Sequence, residues 1–327
     1  MPKVVLLGSD EIALPAFRAV KSLPGVTVAA VYSQPDRPSG RGQEIRPNPV
    51  SSWARAEGLP LLQPERLGPE DAAALAALGA DLGVVMAYGQ LLKDDFLSAT
   101  ARGFVNFHGS LLPSLRGATP VEAALAQGLA ETGVTMQQVV RRLDAGPIHA
   151  AGTLCVGPEE GRASLRERIG VLAGGLARAS LPSVLAGSSF PVPQDESAVT
   201  HTRRLARTDA AMDFNAPSRA LACRVRALEG WPGSVFEHRG EAVKVGSARA
   251  ADGSGEPGRV LEAGRRGVLI ACGEGALLVT RLQRPGGRML SAEEFLPGHP
   301  FIPGELIASQ PMPPLVSVAP FPRAGRA

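Results

Sequence analysis

The sequence predicts an α/β chain: a doubly wound, mostly parallel sheet followed by a second, smaller β-barrel. Three observations carry that prediction. Short apolar runs suited to buried strands alternate with helical segments through the first half. The alternation fades in a Gly/Ser/Pro stretch at residues 186–193. Beyond it, short β-rich runs recur between turn signals, the pattern of a small barrel.

Taken in order, Lys3–Leu7 reads as a buried strand, Pro15–Ser22 as a helix and the β-branched Val26–Tyr32 as a second strand. A helix closes at Ala54–Gly58, with Gly58 as terminator, and Pro69–Leu78 is an Ala-rich helix. Asp81–Ala87, Gly103–His108 and Val134–Val140 are further strands, with a helix at Pro120–Gln127. Such β-α repetition is Rossmann-like. In the second half Ser218–Leu228 is a helix. Strands follow at Gly233–His238, Ala242–Val245, Gly258–Leu261, Gly267–Cys272 and Leu277–Leu282, as in an OB-like barrel. The expected division is 1–188 for the α/β domain, 189–204 for a linker, 205–310 for the barrel and 311–327 for a Pro-rich, basic tail.

Composition narrows the function. An apolar fraction of 44% with 20% charged residues suits a globular protein. No apolar run approaches the ~20 residues of a membrane span, and no secretory signal is evident, so a cytoplasmic protein is expected. The three cysteines form no C-x-x-C pair and the five histidines no ligand spacing, so no metal site is expected. Neither a P-loop nor a G-x-G-x-x-G turn follows the first strand, which argues against an ATPase and a dinucleotide oxidoreductase. Acidic and basic residues balance through residue 204, and the net +3 excess lies wholly beyond it. That modest excess suits a polyanionic partner without demanding one.

The segment Gly103–Gly117 is richest in chemistry. Alternate residues of a strand share a face, so Asn106 and His108 point the same way near the strand's C-terminal end, where open parallel sheets bind ligands. An amide that stabilises an oxyanion and an imidazole that moves a proton suit acyl transfer. Asp144 follows the strand Val134–Val140 and could orient that imidazole. The same residues are also compatible with hydrogen-bonded groups at a strand end and a turn aspartate before Gly146.

The strings Asn106-Phe-His108-Gly-Ser-Leu-Leu-Pro113, Arg116-Gly-Ala-Thr-Pro120, Glu131-Thr-Gly-Val-Thr135 and Leu143-Asp-Ala-Gly146 closely resemble the folate-dependent formyltransferase family across most of residues 1–185. That resemblance implies a catalytic triad of Asn106, His108 and Asp144. It implies contact of Ser110, Leu111, Leu112 and Pro113 with folate, and 10-formyltetrahydrofolate as formyl donor with no metal. Residues 33–42 and Pro47-Asn-Pro49 resemble the loop with which one branch of the family enters the acceptor arm of initiator tRNA. Its Pro and Gly residues are expected to keep it out of helix and sheet, with Arg37, Arg41 and Arg46 available to phosphates or an unpaired base. Trp231-Pro-Gly233, Val243-Lys-Val245 and Pro297–Gly304 resemble the same branch's barrel. Arg204 stands where its linker commonly has Lys, within an arginine cluster (Arg203, Arg204, Arg207, Arg219, Arg224, Arg226) suited to RNA. Ile12, Leu115 and Glu122 depart from the usual pattern. The implied reaction is transfer of formyl to the α-amine of methionyl-initiator tRNA. A sugar-nucleotide N-formyltransferase is the alternative.

Overall fold

The computed structural model describes residues 1–39 and 44–322. Arg41 lies outside the described residues. The chain forms two compact units: Met1–Gly117, Glu131–Cys155 and Arg166–Thr200 in the first, and Ala118–Ala130, Val156–Leu165 and His201 onward in the second.

The first unit holds strands β1 (Lys3–Leu7), β2 (Thr27–Tyr32), β3 (Arg37–Ser39), β4 (Glu44–Arg46), β5 (Leu61–Leu62), β6 (Leu82–Val85), β7 (Phe104–His108), β8 (Arg116–Gly117), β9 (Glu131–Gln138) and β10 (Ile148–Cys155). Seven of them form one sheet in the order β10-β9-β7-β6-β1-β2-β5. β7, β6, β1, β2 and β5 run parallel, as expected. β9 and β10 are antiparallel additions at one edge. The parallel strands are apolar on both faces because helices cover both, and the rings of Tyr32, Phe96 and Phe104 pack edge-on and tilted inside one core cluster.

Two elements of this unit escape the sequence reading. β10 has few apolar residues because only one face is covered. The helix Arg162–Ala186 contains Gly170, Gly174, Gly175 and Pro182, which read as breakers. Two of those glycines permit close approach: a Cβ at Gly174 would lie 2.9 Å from the Pro15 carbonyl oxygen, and one at Gly170 3.0 Å from that of Ile12. By length and composition this helix could cross a membrane, contrary to the sequence expectation. Its residues Ile169, Ala173, Ala177 and Leu181 recur every fourth position and are fully buried, as in a core helix.

In the second unit, β11 (His201–Thr202) precedes the helix Ser218–Ala227. Then come β12 (Ser234–His238), β13 (Glu241–Ala251), β14 (Val260–Gly264), β15 (Gly267–Ala271), β16 (Ala276–Gln283) and β17 (Leu290–Ser291), before β18 (Val316–Ser317) pairs back with β11. β12 to β16 order as β12-β13-β16-β15-β14, all antiparallel, with β17 on β16. Their inward residues, with Phe214, Leu221 and Val225, make a separate core.

Not all of the clustered arginines face solvent. Asp209 is fully buried, bridged by Arg203 at 2.5 and 2.9 Å and approached by the buried Arg224 at 3.7 Å. Burial opposes ionisation of Asp209, yet those cations and the Ala206 N–H hold its carboxyl below the usual range. Arg203 and Arg224 are therefore occupied internally, because a buried carboxylate must be paired.

The same unit buries a histidine pair. His238 Nδ1 lies 2.9 Å from His299 Nε2, and His238 Nε2 lies 3.1 Å from Glu305. Burial first, then neighbouring His238, push the His299 imidazole below its ordinary range. Arg284 and Arg239 add to that push, and Glu241 opposes it. A depressed histidine contributes its full stability above the unfolded pKa of about 6.5 and loses it as pH falls. The melting midpoint of this unit is expected to drop by a few degrees between about pH 7.5 and about pH 5.5, and less in a His299→Gln variant. Scanning calorimetry at both pH values checks this. Equal drops in both proteins would contradict it.

Candidate active site

β7 carries Asn106 and His108 on one face, opposite Gln137 and Thr135 of β9 respectively. His108 is only 6% exposed. Its ring is held by the backbone: Nε2 lies 2.9 Å from the Leu115 carbonyl oxygen. A carbonyl only accepts, so Nε2 carries a proton and Nδ1 is the nitrogen left for chemistry. Leu115 aims that carbonyl from a left-handed backbone conformation (φ 62°), which a Leu adopts at some cost. Thr200 holds it there, its Oγ1 accepting the Leu115 N–H at 2.8 Å and its carbonyl the Arg116 N–H at 2.9 Å. The Leu115 side chain is itself buried, so its backbone does the orienting.

Asp144 faces Nδ1, with Oδ2 at 3.7 Å, an ion-pair distance rather than a hydrogen bond. As expected, Asp144 lies beyond the C-terminal end of the strand that precedes it, β9. β9 runs antiparallel to β7, so its C-terminal end lies beside Val105 and Asn106. Residues 139–147 then return toward β9, the Pro147 carbonyl accepting the Gln138 N–H at 2.9 Å. Gly146 makes that return possible, since a Cβ there would sit 1.7 Å from the Gln138 carbonyl oxygen. Asp144 itself is left-handed (φ 50°), accepting from the Gly117 N–H at 2.8 Å and from Gln137 Nε2 at 3.2 Å. Among the described residues the half-buried Asn106 carboxamide makes no hydrogen bond. Asn106 thus shares a sheet face with His108, and Asp144 faces the same imidazole.

The segment Ser110–Pro113 is built from β9. Thr135 Oγ1 donates to the Ser110 carbonyl at 2.7 Å and accepts the Leu112 N–H at 3.0 Å. Ser110 Oγ is used internally, donating to the Ser114 carbonyl at 2.7 Å. Ser110 and Leu112 are buried, whereas Leu111 and Pro113 are partly exposed. Thr135 and Gln137 were not singled out from sequence. Their alternation along one strand, in register with His108 and Asn106, is the signal that could have found them.

Contrary to the sequence expectation, the Pro/Arg loop is not wholly outside sheet structure. β3 and β4 pair as an antiparallel hairpin with Arg37 opposite Arg46. Pro38 can sit there because a two-stranded ribbon leaves each strand an edge without ladder bonds. Arg37 pairs with Glu65, and Arg46 lies 3.7 Å from Glu44, both on the surface. The hairpin's base is clamped at Asp36. Burial of its carboxyl is outweighed by hydrogen bonds from Gln63, Ser51, Arg55 and the Asn48 N–H, which lower its pKa to about 2. Arg204, in the second unit, is exposed and its carbonyl accepts from Arg203. Among the described residues no cluster of His, Cys, Asp and Glu could hold a metal ion.

The fold has known counterparts. The family description "Formyl transferase" matches residues 3–175, and "Formyl transferase, C-terminal domain" matches residues 204–300. The chain belongs to the formyl transferase family. It is 40% identical to a methionyl-tRNA formyltransferase of Myxococcus xanthus over 93% of this chain and 97% of that protein. Identity to the enzyme of the same name from Acidiphilium cryptum is 42%, over 91% and 97%. Solved structures share the fold at lower identity. An N-formyltransferase from Helicobacter canadensis, in complex with folinic acid and dTDP-3-aminofucose, superposes with TM-score 0.66 at 13% identity, covering 87% of this chain and all of that one. HypX from Aquifex aeolicus with tetrahydrofolic acid gives 0.59 at 17% identity, over 95% and 51%.

Thr135 tests how the loop is held. Thr135→Val keeps the shape and deletes both bonds, leaving a buried N–H and carbonyl without partners. The first unit is expected to lose about 1–3 kcal/mol in urea unfolding. A change within about 0.3 kcal/mol would mean that water or relaxation replaces the hydroxyl.

Proposed function

We propose that this chain transfers the formyl group of 10-formyltetrahydrofolate to the α-amine of methionyl-initiator tRNA, in the cytoplasm. The observation that carries this reading is the combination of about 40% identity to methionyl-tRNA formyltransferases over nearly the whole chain with Asn106 and His108 on one sheet face and Asp144 facing the imidazole. Residues 1–188 would hold the chemistry, and residues 205–310, joined through 189–204, would engage the RNA.

Bound folate would supply an electrophilic formyl carbon beside Ser110–Pro113, chiefly against the partly exposed Leu111 and Pro113. The unpartnered Asn106 carboxamide fits the formyl oxygen, because its N–H can donate as charge grows there when the amine adds. His108 presents Nδ1 to the same region, since Nε2 is committed to Leu115. A proton on Nδ1 makes the ring a cation that stabilises the growing anion. Asp144, 3.7 Å away and bonded to Gly117 and Gln137, stabilises that cation through charge. The attacking amine must lose a proton, which the Asp144 carboxylate can accept, while the departing folate nitrogen gains one. No enzyme nucleophile is needed, because a neutral amine attacks unaided.

For the RNA, Arg37, Arg46 and Arg204 are assigned to phosphate contact, and Arg41 with them on sequence alone. The first two stand on the hairpin whose base Asp36 fixes.

Incubation with 10-formyltetrahydrofolate and either methionyl-initiator tRNA or an amino-sugar nucleotide tests the reading. Formyl on the tRNA is expected, with turnover of His108→Ala and Asp144→Ala lower by at least ~10². Formyl only on the sugar would replace the acceptor. Near-normal turnover in either variant would remove that residue from the mechanism.

A further inference from the structure

Asp144 sits on a loop whose other side chains give it little support. Val140, Arg141, Arg142 and Leu143 are exposed, and Asp144 is held in a left-handed conformation. Yet the loop is gripped from behind at three points. Gln194 Nε2 donates to the carbonyl of Gly146 at 2.7 Å and to that of Asp144 at 2.9 Å, with Gln137 Oε1 at 3.2 Å. Glu196 accepts from Arg142 at 2.6 Å. Gln194 and Glu196 are in turn tied together by Arg116, which donates to Gln194 Oε1 at 2.7 and 3.0 Å and to Glu196 at 2.9 Å. Arg116 is only 1% exposed, so this guanidinium is a buried post, pre-organised by its planar fork. The sequence reading placed residues 194 and 196 in a linker.

We propose that Gln194, braced by Arg116 and Glu196, is a positioning residue that sets Asp144 against His108. The proposal rests on the catalytic reading of Asp144 under Proposed function. Its logic is local. One carboxamide grasps the backbone on both sides of Ala145, and the neighbouring Gln137 Nε2 reaches the Asp144 carboxylate itself at 3.2 Å. The two glutamines are linked by their own bond, so Gln194 fixes both the carbonyl of residue 144 and the donor to its side chain. Without that grip the loop would be free to drift from Nδ1. Misplacement of about 1 Å at a reacting group can cost up to ~10²-fold in rate.

Two substitutions separate positioning from plain support. Gln194→Met removes every bond. Gln194→Glu keeps an acceptor for Arg116 but turns a carboxylate oxygen toward two carbonyls, losing the donor. Both variants are expected to lower kcat by about 10-fold or more, with KM for 10-formyltetrahydrofolate and for tRNA within about twofold. Adding Gln194→Met to Asp144→Asn should cost little more than Asp144→Asn alone, because both act through one group. Wild-type kcat in Gln194→Glu, alongside an impaired Asp144→Asn, would overturn the positioning role alone. Multiplicative losses in the double variant would overturn it too. Wild-type kcat in Asp144→Asn would remove the catalytic reading and the proposal with it.

Discussion

A carbonyl oxygen can accept a hydrogen bond but never donate one, and that asymmetry organises this site. Leu115 O, 2.9 Å from His108 Nε2, requires a proton on that nitrogen and leaves Nδ1 as the face of the ring turned toward Asp144. The carbonyl takes up this aim only because Leu115 is left-handed, and Leu115 stays so because Thr200 binds both its N–H and that of the next residue. A strained backbone residue at a reactive centre is tolerated where the surroundings over-determine it.

The rest of the first unit serves the same end. β1 and β6, the strands on the far side of β7 from β9, bury nearly all of their residues and give β7 its seat. β9, added antiparallel, sets Thr135 beside His108 and Gln137 beside Asn106. One builds the Ser110–Pro113 segment and the other steadies Asp144. The carboxylate lies at ion-pair distance from Nδ1, while the Leu115 carbonyl fixes the ring's orientation through Nε2.

Much of this was legible in the sequence. The apolar runs place β1, β2, β6 and β7 because a strand buried on both faces has a composition that little else shares. Asn106 and His108 were legible as a pair because period-two alternation puts them on one face. Asp144 was legible as a residue beyond a strand's end, but the direction of that strand was not, since antiparallel pairing leaves no mark on the residues of β9 themselves. β10 and the helix Arg162–Ala186 were missed because one-sided burial thins the apolar signal and glycines that serve close packing read as breakers. Arg203 and Arg224 looked like RNA ligands, since nothing local reveals that Asp209 is buried between them. Gln194 was illegible for a similar reason: its partners lie some fifty residues or more away in the chain.

The orientation of the His108 ring decides between this mechanism and any other. Nitrogen-15 NMR of the histidine-labelled protein distinguishes the two neutral tautomers directly. The neutral ring is predicted to carry its proton on Nε2, and that signal should shift when Thr200→Val frees the Leu115 backbone. A neutral ring protonated on Nδ1 would mean that the Leu115 carbonyl does not hold it, and the joint action of Asn106, His108 and Asp144 on one formyl carbon would lose its footing.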